Sequence, residues 1–125
     1  MQIVSKTEID KFDKKGFFVK KNFFNKNYIK KILREINAIK SENSKIKVDK
    51  YYGVGVSNKQ KSILLRIENF YNKSKYLTKL INDPLINYIL FKLFKNKPTL
   101  FKEKVNFKPA GCGPDKLHQD SQAGW

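Results

Sequence analysis

From Asn25 onward the apolar residues Ile29, Ile32, Leu33, Ile36 and Ile39 return at spacings of three and four, with Lys30, Lys31, Arg34 and Glu35 between them. That period belongs to an amphipathic helix, and it predicts one ending near Asn43 that packs one face on a core. Upstream, Thr7 to Lys15 begins on a capping side chain and meets Gly16, which predicts a short helix. Phe17, Phe18 and Val19 read as a brief strand. Downstream of a polar connection, Tyr51 to Val56 and Ser62 to Phe70 are rich in strand formers and bounded by turn residues, so two strands are expected.

Asp83 followed by Pro84 is a helix start, a capping carboxylate and then a residue whose missing N–H costs nothing in the first turn. Leu85, Ile86, Ile89, Leu90, Leu93 and Phe94 supply its apolar face, and Asn96 to Pro98 ends it. Thr99 to Phe107 alternates as a strand does, with Lys102, Lys104, Asn106 and Lys108 on one side and Glu103, Val105 and Phe107 on the other. Helices come first and strands accumulate later, with one helix between strands. The expected class is α+β with a mostly antiparallel sheet.

With 125 residues, 40% hydrophobic and 14% aromatic, the chain has the means to bury a core and is about one domain long. No apolar run reaches the roughly 18 residues of a membrane span, and residues 1–10 hold no apolar core of a secretory signal. A soluble, cytoplasmic protein is expected. The formal charge of +16 raises nucleic acid or an acidic surface as partner. Among the 27 basic residues, however, only Arg34 and Arg66 are arginine, the residue suited to forked phosphate and base contacts. Lysine is spread evenly and accompanied by abundant Asn, Ile and Phe, whose codons can all be A/T-dominated. This pattern argues against nucleic acid as the principal partner. The Gly53 and Gly55 pair lacks the Gly-Lys-Ser/Thr ending of a phosphate loop.

Candidate chemistry is concentrated at the end of the chain. The single Cys112, His118 and Trp125 all lie within residues 108–125, where Pro109, Gly111, Gly113 and Pro114 predict a loop. One cysteine excludes an internal disulfide and a multi-cysteine zinc site. In an extended segment residues two apart share a face, so the imidazole of His118 and the carboxylate of Asp120 would point together. A nitrogen and an oxygen donor so placed are two thirds of the two-histidine, one-carboxylate triad of non-haem Fe(II). An ordinary hydrogen-bonded His–Asp pair has the same spacing.

The runs RIENF from Arg66, NDPLINYIL from Asn82, LFKEKVNFKPAG from Leu100 and LHQD from Leu117, followed by AGW, resemble the phytanoyl-CoA dioxygenase family of Fe(II)- and 2-oxoglutarate-dependent oxygenases. The opening GFFVKKNFF before an amphipathic helix is similar to that family's amino terminus. The resemblance implies a double-stranded β-helix of the jelly-roll, cupin-like kind, with amino-terminal helices packed on the sheet. It implies His118 and Asp120 as metal ligands, Gln119 as a residue lining the pocket, and Arg66 and Lys104 as basic groups beside 2-oxoglutarate. It further implies Fe(II), 2-oxoglutarate and O2 acting together to hydroxylate a small organic or acyl substrate. Read from the residues alone, Arg66 has an alternative role as the ion-pair partner of Glu68, and Lys104 as one of a solvated row with Lys102 and Lys108.

The family pattern also calls for a second histidine ligand and a later arginine that clamps 2-oxoglutarate. His118 is the one histidine of the sequence, so residues 1–125 are expected to be the amino-terminal part of a single dioxygenase domain, cut just after the first two ligands and inactive by itself. The rival expectations are a non-catalytic basic module that binds nucleic acid or an acidic partner, and a decayed remnant.

Overall fold

Each helix begins where a side chain meets the orphan amides of its first turn. The computed structural model describes residues 3–54, 62–109 and 117. Helix α1 (Lys6–Lys15) opens on a reciprocal capping box, in which Ser5 Oγ accepts from Glu8 N and the Glu8 carboxylate accepts from Ser5 N at 2.8 Å. It closes at Gly16, whose φ of 77° is the left-handed conformation a helix end commonly requires. Helix α2 (Lys26–Lys40) is capped by Asn25, whose side chain accepts from Tyr28 N at 2.8 Å. It ends earlier than the apolar period predicts, because Ser41 turns to extended backbone.

Helix α3 (Lys75–Ile81) is an element the sequence pattern did not predict, and it is followed directly by α4 (Pro84–Phe94). Asp83 caps α4 as expected, with one carboxylate oxygen accepting from Leu85 N at 2.9 Å and Ile86 N at 3.3 Å. Helix α2 packs on α3, and α1 on α4, where the rings of Phe12 and Phe94 meet edge to face at 5.9 Å. No helix among the described residues is long and apolar enough to cross a membrane.

Three strands form one antiparallel sheet in the order β1 (Asp49–Val54), β2 (Ser62–Glu68), β3 (Lys104–Asn106). The register pairs Tyr51 with Arg66 and then Tyr52 with Leu64, so Leu65 is the extra residue of a bulge in β2. Its carbonyl is not left unpaired, since it accepts from Phe107 N at 2.8 Å. Ile32 and Ile39 of α2, Ile67 of β2, Phe70 between β2 and α3, and Leu77 of α3 are the buried cluster, and Leu64, Val105 and Phe107 pack against it. The Val105/Phe107 side of the last strand thus faces the core, as its alternation predicts.

Several expectations are corrected. Phe17 to Val19 form no strand; Phe17 and Val19 are 62% and 71% exposed, without a neighbouring strand to supply hydrogen bonds. The strand expected over Thr99 to Phe107 contracts to Lys104–Asn106, because β2 offers it register partners only from Arg66 to Glu68. Ile29 and Leu33 lie on the exposed side of α2, so the buried stripe runs through Ile32, Ile36 and Ile39. The class is α+β, as expected. A double-stranded β-helix needs two facing sheets, and the described residues form one.

Candidate functional site on the sheet face opposite the core

Side chains alternate across a strand, and Ile67 points into the core. Arg66 and Glu68 therefore project from the other face of β2. The antiparallel register places Asn106 opposite Arg66 and Lys104 opposite Glu68, and directly opposed residues share a face. Arg66 and Lys104, the two basic residues assigned by resemblance to the co-substrate, are thereby brought to one face of one sheet. Tyr51, across from Arg66 on β1, joins them there.

The centre of this face is Glu68, buried to 6% exposure although charged. Its Oε1 lies 2.9 Å from Arg66 Nε and 3.2 Å from Lys102 Nζ. The Arg66 N–H does not aim along that contact, and neither Nε nor Oε1 completes a hydrogen bond; the attraction is Coulombic. Above it, the Arg66 guanidinium stands 4.3 Å from the centroid of the Tyr51 ring, within cation–π range. The ion-pair alternative for Arg66 is therefore realised: a carboxylate two residues along the strand already neutralises it. Lys104 is exposed and engages in contacts of its own. Asp49, opposite Glu68 on β1, shares this face, so three cations and two carboxylates leave it only slightly net positive, with Arg66 already committed to Glu68.

His118, Gln119 and Asp120 lie outside the described residues, as do Cys112 and Trp125. Among the described residues no group of three or more His, Cys, Asp or Glu could hold a metal ion. The donor types of His118 and Asp120 suit Fe(II), while their number falls one short of a triad. Two participants escaped the sequence reading: Tyr51, whose stacking on Arg66 follows from a cross-strand register, and Lys102, whose reach to Glu68 depends on how the segment before β3 approaches the sheet. Neither had a local signal.

Compared with known proteins, the chain matches no protein-family model, no curated protein and no solved structure.

Proposed function

We propose that these residues are the front part of a cytoplasmic Fe(II)- and 2-oxoglutarate-dependent dioxygenase of the phytanoyl-CoA type, built on a double-stranded β-helix and hydroxylating a small organic or acyl substrate. The observation that supports this reading is the meeting of Arg66 and Lys104 on the sheet face turned away from the helices, upstream of the Leu117-His118-Gln119-Asp120 run. In this reading His118 and Asp120 hold the metal, and a further histidine and an arginine come from outside these residues. Iron so bound supplies the oxygen-activating redox chemistry, with 2-oxoglutarate as the reductant that is decarboxylated to succinate.

The chain's own contribution is positioning and charge. Lys104 offers a charge-assisted contact to a carboxylate of 2-oxoglutarate. Arg66 is held in place by Glu68 and Tyr51 on the same face, so its part is to fix that surface and not to bind the co-substrate directly. The test is succinate formation from 2-oxoglutarate by the complete polypeptide. His118→Ala and Asp120→Ala are expected to abolish it, and Lys104→Met to raise the KM for 2-oxoglutarate several-fold with a smaller effect on kcat. Undiminished succinate formation in either ligand variant refutes the assignment.

A further inference from the structure

A second region carries chemistry independent of the sheet face and shares no residue with it. The start of α2, helix α3 and the start of α4 border an open cavity of about 570 Å³, within the size range of small-molecule sites. One wall is aromatic. Phe23 and Phe24 meet edge to face at 4.7 Å, Phe24 and Tyr28 are tilted at 5.6 Å, and Tyr76 continues the surface, its carbonyl 3.5 Å from the Tyr28 hydroxyl.

The rim is cationic. Lys26, Lys31 and Lys79 line the cavity, and among the described residues none of the three forms an ion pair. Lys79 Nζ stands 5.8 Å from the Tyr28 ring centroid, and Lys31 Nζ 5.8 Å from that of Tyr76. The acidic residue of the lining is Asp83, whose carboxylate is occupied with the first amides of α4. No acidic side chain stands in the first turn of α2, so its positive dipole end is uncompensated there. Burial and the Asp83 charge push the Tyr28 phenol above its ordinary range, and its hydroxyl donates to the Tyr76 carbonyl.

A ligand that satisfies both halves needs a flat π-system to lie against the rings and an attached anion to meet three ammonium groups. An apolar molecule would leave the lysines unused, and inorganic phosphate would leave the aromatic wall bare. We propose that this cavity binds a nucleotide, with the base against the wall of Phe24, Tyr28 and Tyr76 and the phosphate at Lys26, Lys31 and Lys79. Stacking of a base on aromatic side chains and charge-assisted contacts to phosphate are the two attractions that such sites combine.

The experiment is titration of the 15N-labelled chain with adenosine 5′-monophosphate, followed by amide chemical shifts. Shifts are expected at residues 24–31 and 76–79. The triple variant Lys26→Gln, Lys31→Gln, Lys79→Gln should weaken binding about tenfold or more, and Phe24→Leu by a similar factor through lost stacking. The triple variant Lys11→Gln, Lys45→Gln, Lys47→Gln makes the same change in net charge at exposed positions away from the cavity, and should bind within about twofold of the unaltered chain. Inorganic phosphate should bind at least about tenfold more weakly than the nucleotide. A short oligothymidylate distinguishes the sources of the ligand. Binding of the mononucleotide assigns a free nucleotide, whereas binding of the oligomer alone, with the same loss in the cavity variants, assigns a nucleotide within a single strand. The proposal is overturned if neither binds, if both lysine triples weaken binding equally, or if phosphate binds as tightly as the nucleotide.

Discussion

Glu35 is the residue whose replacement tests the fold most sharply. From the middle of α2 its carboxylate reaches the start of α3 and accepts four hydrogen bonds: from Ser74 Oγ at 2.6 Å, Lys75 N at 2.9 Å, Tyr76 N at 2.7 Å and Leu77 N at 3.2 Å. Ser74 occupies the cap position of α3 but makes no cap bond with its own side chain. Glu35 supplies the cap from another helix. Removing a cap costs about 1 kcal/mol, and stranding a buried hydroxyl about 1–3 kcal/mol more; Ser74 is 1% exposed. Both losses fall on one carboxylate and are not fully additive, so Glu35→Ala should destabilise by about 3 kcal/mol. Glu35→Gln keeps one accepting oxygen but loses the charge, and about half that cost is expected.

Against a typical domain stability of about 5–15 kcal/mol, the alanine change is severe. Urea unfolding followed by circular dichroism should show the midpoint falling with little change in slope. Amide exchange at residues 75–77 should accelerate. Pairing the change with Ser74→Ala should recover part of the loss, because the hydroxyl that would be stranded is gone; a coupling of about 1–2 kcal/mol is expected. A Glu35→Ala cost below about 0.5 kcal/mol, or additive effects of the two changes, would refute the argument that α3 is capped from α2.

Two further outcomes follow from charge. The Glu8 carboxylate is held below its ordinary value of 4.5, first by the Ser5 amide and then by Lys20 at 3.1 Å. A depressed carboxylate contributes stability that is present above its unfolded-state value and lost as pH falls through the folded one. Glu8→Gln should therefore flatten the loss of stability below pH 4.5 in urea midpoints measured against pH; an unchanged acid limb would count against it. At the sheet, Glu68→Gln leaves Arg66 and Lys102 facing each other across a neutral amide. The arginine side chain is 38% exposed, so solvent screening reduces the cost to about 1–2 kcal/mol. Added salt should restore part of the lost melting temperature, and a variant as stable as the parent would show that the pair contributes nothing.

What could be read from the amino-acid order acts over a few residues. The three-and-four spacing announced α2, Asp83-Pro84 announced α4, and Gly16 announced the end of α1, because capping and amphipathic periodicity are properties of one turn or one face. The Ser5-x-x-Glu8 box was equally local, and marks the start of α1 two residues before the Thr7 cap that composition suggested. The alternation of Val105 and Phe107 against Lys104 and Asn106 assigned the two faces of β3 correctly for the same reason.

Tertiary structure decided the rest. A seven-residue helix is too short to persist alone, and α3 exists because a carboxylate distant in sequence meets its first amides. The extent of β3 was set by how much of β2 was available to pair with it, and the Phe17 to Val19 segment, which no strand flanks, forms no strand. The candidate sheet site has the same origin. Sequence nominated Arg66 and Lys104 separately, but their common face, the Tyr51 ring over the guanidinium and the burial of Glu68 between two cations all depend on strand register, which is fixed only when the apolar faces of β2 and β3 close on α2 and α3.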